Sequence, residues 1–209
     1  MQNTLKRDTK ELILKVALKL FSEKGYDGVG IRDISKKIGI RESAIYKHYK
    51  SKQDIFDSIL KDIDKRYTAK FSGIIPSKNM NNIGTEKSDE RKELFRIITN
   101  MFKFYLDNEY GSQLRRMLTM EQFRNSEASS VFREMIIDRG LEYISSILAR
   151  LINDGVYIDA NPKIMAIQLY APVYLLLSKY DNQNEKYDEA LIFLKKHIIQ
   201  FDKMYLKKE

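Results

Sequence analysis

Apolar residues recur at three- and four-residue intervals along nearly the whole chain, and no stretch alternates as a strand would. That one periodicity restricts the fold to packed helices. Ile13, Val16, Ala17, Leu20 and Phe21 make the first stripe, and Gly25 is placed to end it in the left-handed conformation. Ile34 and Ile38 mark a short second helix, and Ala44 to Tyr49 a third. Ser51 with Asp54 reads as a capping box ahead of Ile55, Phe56, Ile59, Leu60 and Ile63, which predicts a fourth helix to about Phe71. Gly73 to Ser88 breaks the pattern and reads as a long loop. Stripes resume at Leu94 to Tyr105 and again around Leu114 to Phe123. Ser126 is placed to cap a long helix that ends at Gly155. Asn161-Pro162 starts another to about Tyr180, kinked at Pro172, and the last covers about Glu185 to Leu206. No internal repeat is present.

Charge divides the chain unevenly. Residues 1–52 hold 13 basic and 6 acidic side chains, the remaining 157 hold 24 and 23, and the total is +8. A basic segment ahead of a near-neutral body suits either a polyanion-binding module or a Lys-rich solvated surface. With no Cys, the chain has no disulfide scaffold, thiolate metal site or Cys nucleophile. Its two histidines, His48 and His197, are far apart in sequence, and neither a Gly-rich phosphate loop nor metal-ligand spacing occurs. These features argue against an enzyme and imply no cofactor and no metal. The polar start carries no signal-peptide core. The apolar run Ile164 to Leu177 contains Gln168 and Pro172 and is too short to span a bilayer, so no membrane partner is expected.

Segment Ile31 to Lys52 carries the chemistry. Two short amphipathic stretches flank Gly39-Ile40-Arg41, where glycine permits a sharp turn. Ile34, Ile38, Ile40 and Ile45 can close the packing, and Ser35 is small where the helices approach. This is helix-turn-helix spacing, and an ordinary helical hairpin has the same spacing.

Residues 41–52, Arg-Glu-Ser-Ala-Ile-Tyr-Lys-His-Tyr-Lys-Ser-Lys, resemble the recognition helix and following turn of TetR-family transcriptional repressors, with Tyr46, His48, Tyr49, Ser51 and Lys52 matching as they stand. Leu20 to Tyr26 resembles the end of that family's first helix, and Ile31 to Ser35 its second. The resemblance covers about Leu12 to Ile59; from Ile74 onward it lies only in size and helical character. It implies an all-α fold. Residues 1–52 would be a three-helix helix-turn-helix DNA-binding domain, the helix at about 51–71 would connect, and 53–209 would form a helical ligand-binding and dimerisation domain.

The resemblance implies that Arg32, Ser43, Tyr46, Lys47, His48 and Lys52 contact double-stranded operator DNA, and that Glu42 and Ala44 help set its sequence. Arg41 and Arg32 are long cations at helix ends, able to reach phosphate or a guanine edge. Tyr49 continues the apolar stripe and reads as core. In such proteins the last two helices pair with their mates. Tyr187, Leu191, Leu194, Ile198, Phe201 and Tyr205, spaced 4, 3, 4, 3, 4, form a coiled-coil-like seam. With Tyr170 and Tyr174 of the preceding helix, Leu191 to Tyr205 of this seam are the expected homodimer contacts. Met101, Phe102, Tyr105, Met117, Met120, Phe123, Met135, Tyr143 and Tyr170 are candidates to line a pocket for an apolar or amphipathic effector, although such stripes also serve as plain core. The expected function is a homodimeric, cytoplasmic, nucleoid-associated repressor released from a palindromic operator by a small molecule. The alternative is a ligand-free architectural or nucleoid-associated DNA binder.

Overall fold

A computed structural model describes the backbone of residues 2–71 and 87–208, and the side chains of 9–63 and 90–208. Among them the fold is all-α. Extended pairing is limited to an isolated antiparallel bridge between Tyr157 and Leu206. Among the described residues no helix is long and apolar enough to cross a membrane. The helices are α1 (Gln2–Lys24), α2 (Ile31–Ile38), α3 (Glu42–Tyr46), α4 (Lys52–Phe71), α5 (Lys87–Leu106), α6 (Glu109–Glu121), α7 (Ser126–Phe132), α8 (Arg139–Asn153), α9 (Pro162–Lys179) and α10 (Tyr187–Tyr205). The loop expected from Gly73 to Ser88 lies outside the described residues, except that Lys87 and Ser88 already belong to α5.

The chain forms two compact units. The first comprises residues 1–70 and 112–133, the second residues 71–111 and 134–209. This division by packing differs from a cut near residue 52, because α4 and residues 112–133 group with α1 to α3. The core of the first unit is aromatic. Phe21 lies 5.7 Å from Phe56 and 5.6 Å from Tyr26, and Tyr26 lies 5.1 Å from Phe56, two of the three pairs edge-on. Ile13, Ile34, Ile45 and Ile55 are fully buried around it.

Several expected boundaries shift. The third helix is a short one, Glu42–Tyr46, and the N–H groups of His48 and Tyr49 both return to the Ile45 carbonyl. Asn125, not Ser126, caps α7, its Oδ1 accepting from the Ala128 N–H at 2.8 Å. The long helix expected from Ser126 to Gly155 is interrupted by a π-helical turn, Arg133–Asp138. Carbonyls of that turn accept from two buried phenols, Tyr105 to Met135 at 3.2 Å and Tyr170 to Ile136. Residues from two distant segments thus stabilise a backbone register that no local pattern encodes. In α9, Asn161 caps as expected, accepting from Lys163 and Ile164, and the helix is continuous through Pro172.

The second unit packs α8 on α9, α10 on α9, and α5 on α8 and α9. Its chain end is tied by Tyr157, whose Oη donates to Asp202 Oδ1 at 2.8 Å beside the Phe201 ring. The bridge adds Ile158 N–H to the Tyr205 carbonyl at 2.9 Å and Lys207 N–H to that of Val156 at 3.0 Å.

Burial, followed by the Asp202 bond, pushes the Tyr157 phenol well above its ordinary value of 10.0. The folded chain therefore keeps a proton that the unfolded chain releases as pH rises through about 10. The stability this phenol contributes is complete below that pH and declines above it. Tyr157→Phe is expected to cost about 1.5–3 kcal/mol at neutral pH and to flatten that alkaline decline, as measured by urea unfolding between pH 7 and 11.

Candidate nucleic-acid interface

The site is built on the turn between α2 and α3. Gly39 closes α2 with φ 81° and ψ 29°, a left-handed conformation that penalises a side chain. Its N–H and that of Ile40 both donate to the Ser35 carbonyl at 3.0 Å. Ser35 is buried, its hydroxyl donating to the Arg32 carbonyl at 3.0 Å, so α2 and α3 can approach closely. At the other end of α2, Asp33 Oδ2 accepts from the Gly30 N–H at 2.8 Å. Ile34 and Ile45 bury the inner faces.

With its inner face so fixed, α3 turns its polar residues outward. Arg41, Glu42, Ser43, Tyr46 and Lys47 are exposed, as is Arg32 on α2, and Tyr46 shows 54% of its surface. Ala44, His48 and Lys52 are half-buried. Tyr49 is core, its Oη donating to the Lys10 carbonyl at 3.3 Å under the Lys10 ammonium, 5.4 Å from the ring centre. An exposed phenol flanked by cations on a short helix can meet base edges and phosphates together. Ser51 Oγ accepts from the Asp54 N–H at 3.1 Å, and the Asp54 carboxylate reaches back to the Lys50 N–H at 2.8 Å. The capping box is thus offset by one residue from the expected form.

Lys52 occupies a position the sequence did not disclose. Its Nζ donates to the Tyr26 carbonyl at 2.8 Å and stands 4.0 Å from the Tyr26 ring centre. An ammonium has three donors, so this anchor holds the charge at the start of α4 while leaving donors for an anion. The Tyr26 N–H donates to Glu121 Oε1 at 2.8 Å, and Glu121 is only 4% exposed. Burial, then Asp57, Asp27 and Glu121, raises the Tyr26 phenol above its ordinary value, which keeps the ring neutral beneath the cation. Glu121 was missed because its partner lies 95 residues away in sequence. A lone Glu among Met and Leu gives no local sign of that role.

The other expected sites divide between the two units. Met101, Phe102, Tyr105, Met135, Tyr143 and Tyr170 are buried in the second unit. Met117 is buried in the first, but Met120 is partly exposed and Phe123 is 87% exposed there, so these two face solvent. The seam inferred from spacing in the last helix turns inward. Leu194, Ile198 and Phe201, with Tyr170 of α9, are buried within the chain itself. Tyr174, Leu191 and Tyr205 are half-buried. The outward apolar residues are Ile164, Ile167 and Leu175 of α9, and Ile192, Phe193, Ile199 and Met204 of α10. The spacing of Leu191 to Tyr205 correctly marked an apolar stripe, but one stripe on a helix apolar on two sides does not say which side is internal.

Glu121→Ala is expected to cost about 1–3 kcal/mol by orphaning the Tyr26 N–H, with Glu121→Gln retaining most of the stability. Tyr46→Ala, at an exposed position, is expected to stay within about 0.5 kcal/mol. Thermal unfolding compares the three.

Comparison with known proteins agrees with this architecture. Residues 13–59 match the family described as bacterial regulatory proteins, tetR family. The chain is 30% identical over 134 residues to the HTH-type transcriptional regulator AcrR of Shigella flexneri, covering 58% of this chain and 62% of that protein. It is 47% identical over 47 residues to the biofilm operon icaADBC HTH-type negative transcriptional regulator IcaR of Staphylococcus epidermidis, covering 22% of this chain and 25% of that protein. The matched length is thus under two thirds of either relative. A putative transcriptional regulator from Saccharomonospora viridis, solved in complex with choline, superposes with a TM-score of 0.70 at 19% identity over 97% of this chain and 100% of that one, a likeness of fold. The helix-turn-helix segment, residues 13–59, is thus similar to that of the tetR family of bacterial regulatory proteins, and the relatives that share it are transcriptional regulators.

Proposed function

We propose that the chain is a homodimeric, sequence-specific DNA-binding transcriptional repressor that a small molecule releases from its operator. The observation that carries this reading is the exposed surface of α3. Arg41, Ser43, Tyr46 and Lys47 project from a short helix whose inner face is fixed by buried Ile34 and Ile45. Such a helix fits a major groove, with Arg32 and the anchored Lys52 as flanking phosphate contacts. The basic balance of residues 1–52 favours DNA over a plain helical hairpin. The IcaR relative is a negative regulator by name, which supports repression.

One short reading helix specifies few bases, so two copies on a palindrome are needed. The outward Ile164, Ile167 and Leu175 of α9, beside Ile192 and Ile199 of α10, supply an apolar surface of the kind that pairing buries. Release follows if the effector binds best to a form in which the two reading helices no longer match successive grooves.

On a duplex recovered by selection from genomic fragments, Tyr46→Ala and Lys47→Ala are each expected to lower affinity at least about fivefold with the oligomer intact. The logarithm of the binding constant is expected to fall linearly with that of salt concentration. Unchanged affinity in both variants would remove the reading surface. Leu175→Glu is expected to shift sedimentation from dimer to monomer.

A further inference from the structure

The second unit contains three buried tyrosines near the π-helical turn, and they differ in one respect. Tyr105 and Tyr170 donate to carbonyls of that turn. Tyr143 of α8, 8% exposed, has a fully buried hydroxyl with no hydrogen-bond partner among the described residues. Seven residues on, hence on the same face of α8, Arg150 has a buried Nη2 that likewise lacks a partner. Arg150 Nε donates to Glu90 Oε1 at 3.1 Å and Oε2 at 3.2 Å, so the guanidinium is held by one edge with a second donor left over. Unmatched buried donors are uncommon in native interiors, and each is destabilising by an amount that a bound partner would recover.

We propose that Tyr143 and Arg150 form the polar end of a ligand site in the second unit, for a largely apolar small molecule carrying one neutral acceptor oxygen, such as a ketone or ester carbonyl. This rests on the regulator reading only for what binding accomplishes.

The charges around the pair select that chemistry. Arg96 donates to Glu93 through Nε at 2.7 Å and Nη2 at 2.5 Å, and Arg150 pairs with Glu90. Both carboxylates already have a cation, so a cationic ligand finds no free charge. Both guanidiniums have an anion, so a carboxylate ligand gains little over a carbonyl. What remains is two N–H or O–H donors, which one carbonyl oxygen with two lone pairs can accept together. Burial, and then Glu93, pushes the Tyr143 phenol up to about 12, so it stays a neutral donor at physiological pH.

The same face of α8 continues to Gly140, where a Cβ would stand 3.2 Å from Met101 Cε and 3.5 Å from the Tyr170 ring. The apolar end therefore meets a flexible thioether and an aromatic face, with Met135 buried in the adjoining turn. Methionine can repack around a guest of imperfect shape.

The test uses the full-length protein without DNA, so it stands or falls separately from the operator assay. Scanning calorimetry compares 2-nonanone, nonanoate and nonylammonium as probes on wild type, Tyr143→Phe and Arg150→Lys. The expected result is a dose-dependent rise in wild-type Tm with 2-nonanone that exceeds those with the two charged probes. The apparent Kd is expected to rise about tenfold in each variant, the loss of one hydrogen bond. Ligand-free Tyr143→Phe is expected to unfold at or above the wild-type temperature, because it deletes an unpartnered buried hydroxyl. Four results overturn the proposal: no stabilisation by 2-nonanone, which would leave the pair to ordered water; equal or stronger stabilisation by a charged probe; unchanged ketone affinity in both variants; or a ligand-free Tyr143→Phe that melts well below wild type, which would mean the hydroxyl has an internal partner. If ketone binding follows the expected pattern while the operator assay fails, the regulator reading falls and the site stands.

Discussion

The first unit depends on the backbone of one residue, held from both sides. Tyr26 sits just past the end of α1, and its N–H is taken by Glu121 while its carbonyl is taken by Lys52. Three segments far apart in sequence meet there: the end of α1, the start of α4 and the end of α6. Backbone groups outside a helix need partners, and here they are a buried carboxylate for the N–H and, for the carbonyl, an ammonium together with the Val29 N–H at 3.3 Å. The ring of the same residue closes the aromatic cluster with Phe21 and Phe56. The cation that holds the carbonyl is also the one proposed to meet phosphate, so one side chain would serve both the corner and the DNA.

The exposed surface of α3 follows from Gly39 and Ile45. A helix as short as Glu42–Tyr46 gains little from its own hydrogen bonds and is set by packing. Ile45 supplies that packing and Gly39 supplies the turn, so every remaining side chain of α3 is free to be polar. In the second unit a similar division operates between satisfied and unsatisfied phenols. Two tyrosines stabilise the π turn and one is left unmatched beside an arginine, which separates groups that hold the fold from groups available to a ligand.

Much of this was legible in the sequence where the signal is local. The Gly39 turn, the Ser51-Asp54 cap, the Asn161-Pro162 start and the buried Ile34, Ile45 and Tyr49 all follow from spacing and residue type within a few positions. The exposed set from Arg41 to Lys47 came from the family resemblance together with those spacings. What was not legible depends on distant partners. Tyr105 and Tyr170 stabilise a π turn that cuts an apparently continuous helix. Glu121 looks like an ordinary helical glutamate until its partner 95 residues away is known. The inward seam of α10 has a similar cause. Leu194, Ile198 and Phe201 and the outward Ile192, Phe193 and Ile199 are both plausible stripes, and only packing against α9 decides between them.

The proposed function requires two copies of α3 to read two successive major grooves. Hydroxyl-radical footprinting of the full-length protein on a selected duplex tests it most directly. The expected result is two symmetric protected patches on one face of the DNA, their centres one helical turn, about 34 Å, or a multiple of it apart, both lost together in Tyr46→Ala. A single patch, or protection spread evenly along the duplex and unaffected by that substitution, would contradict it.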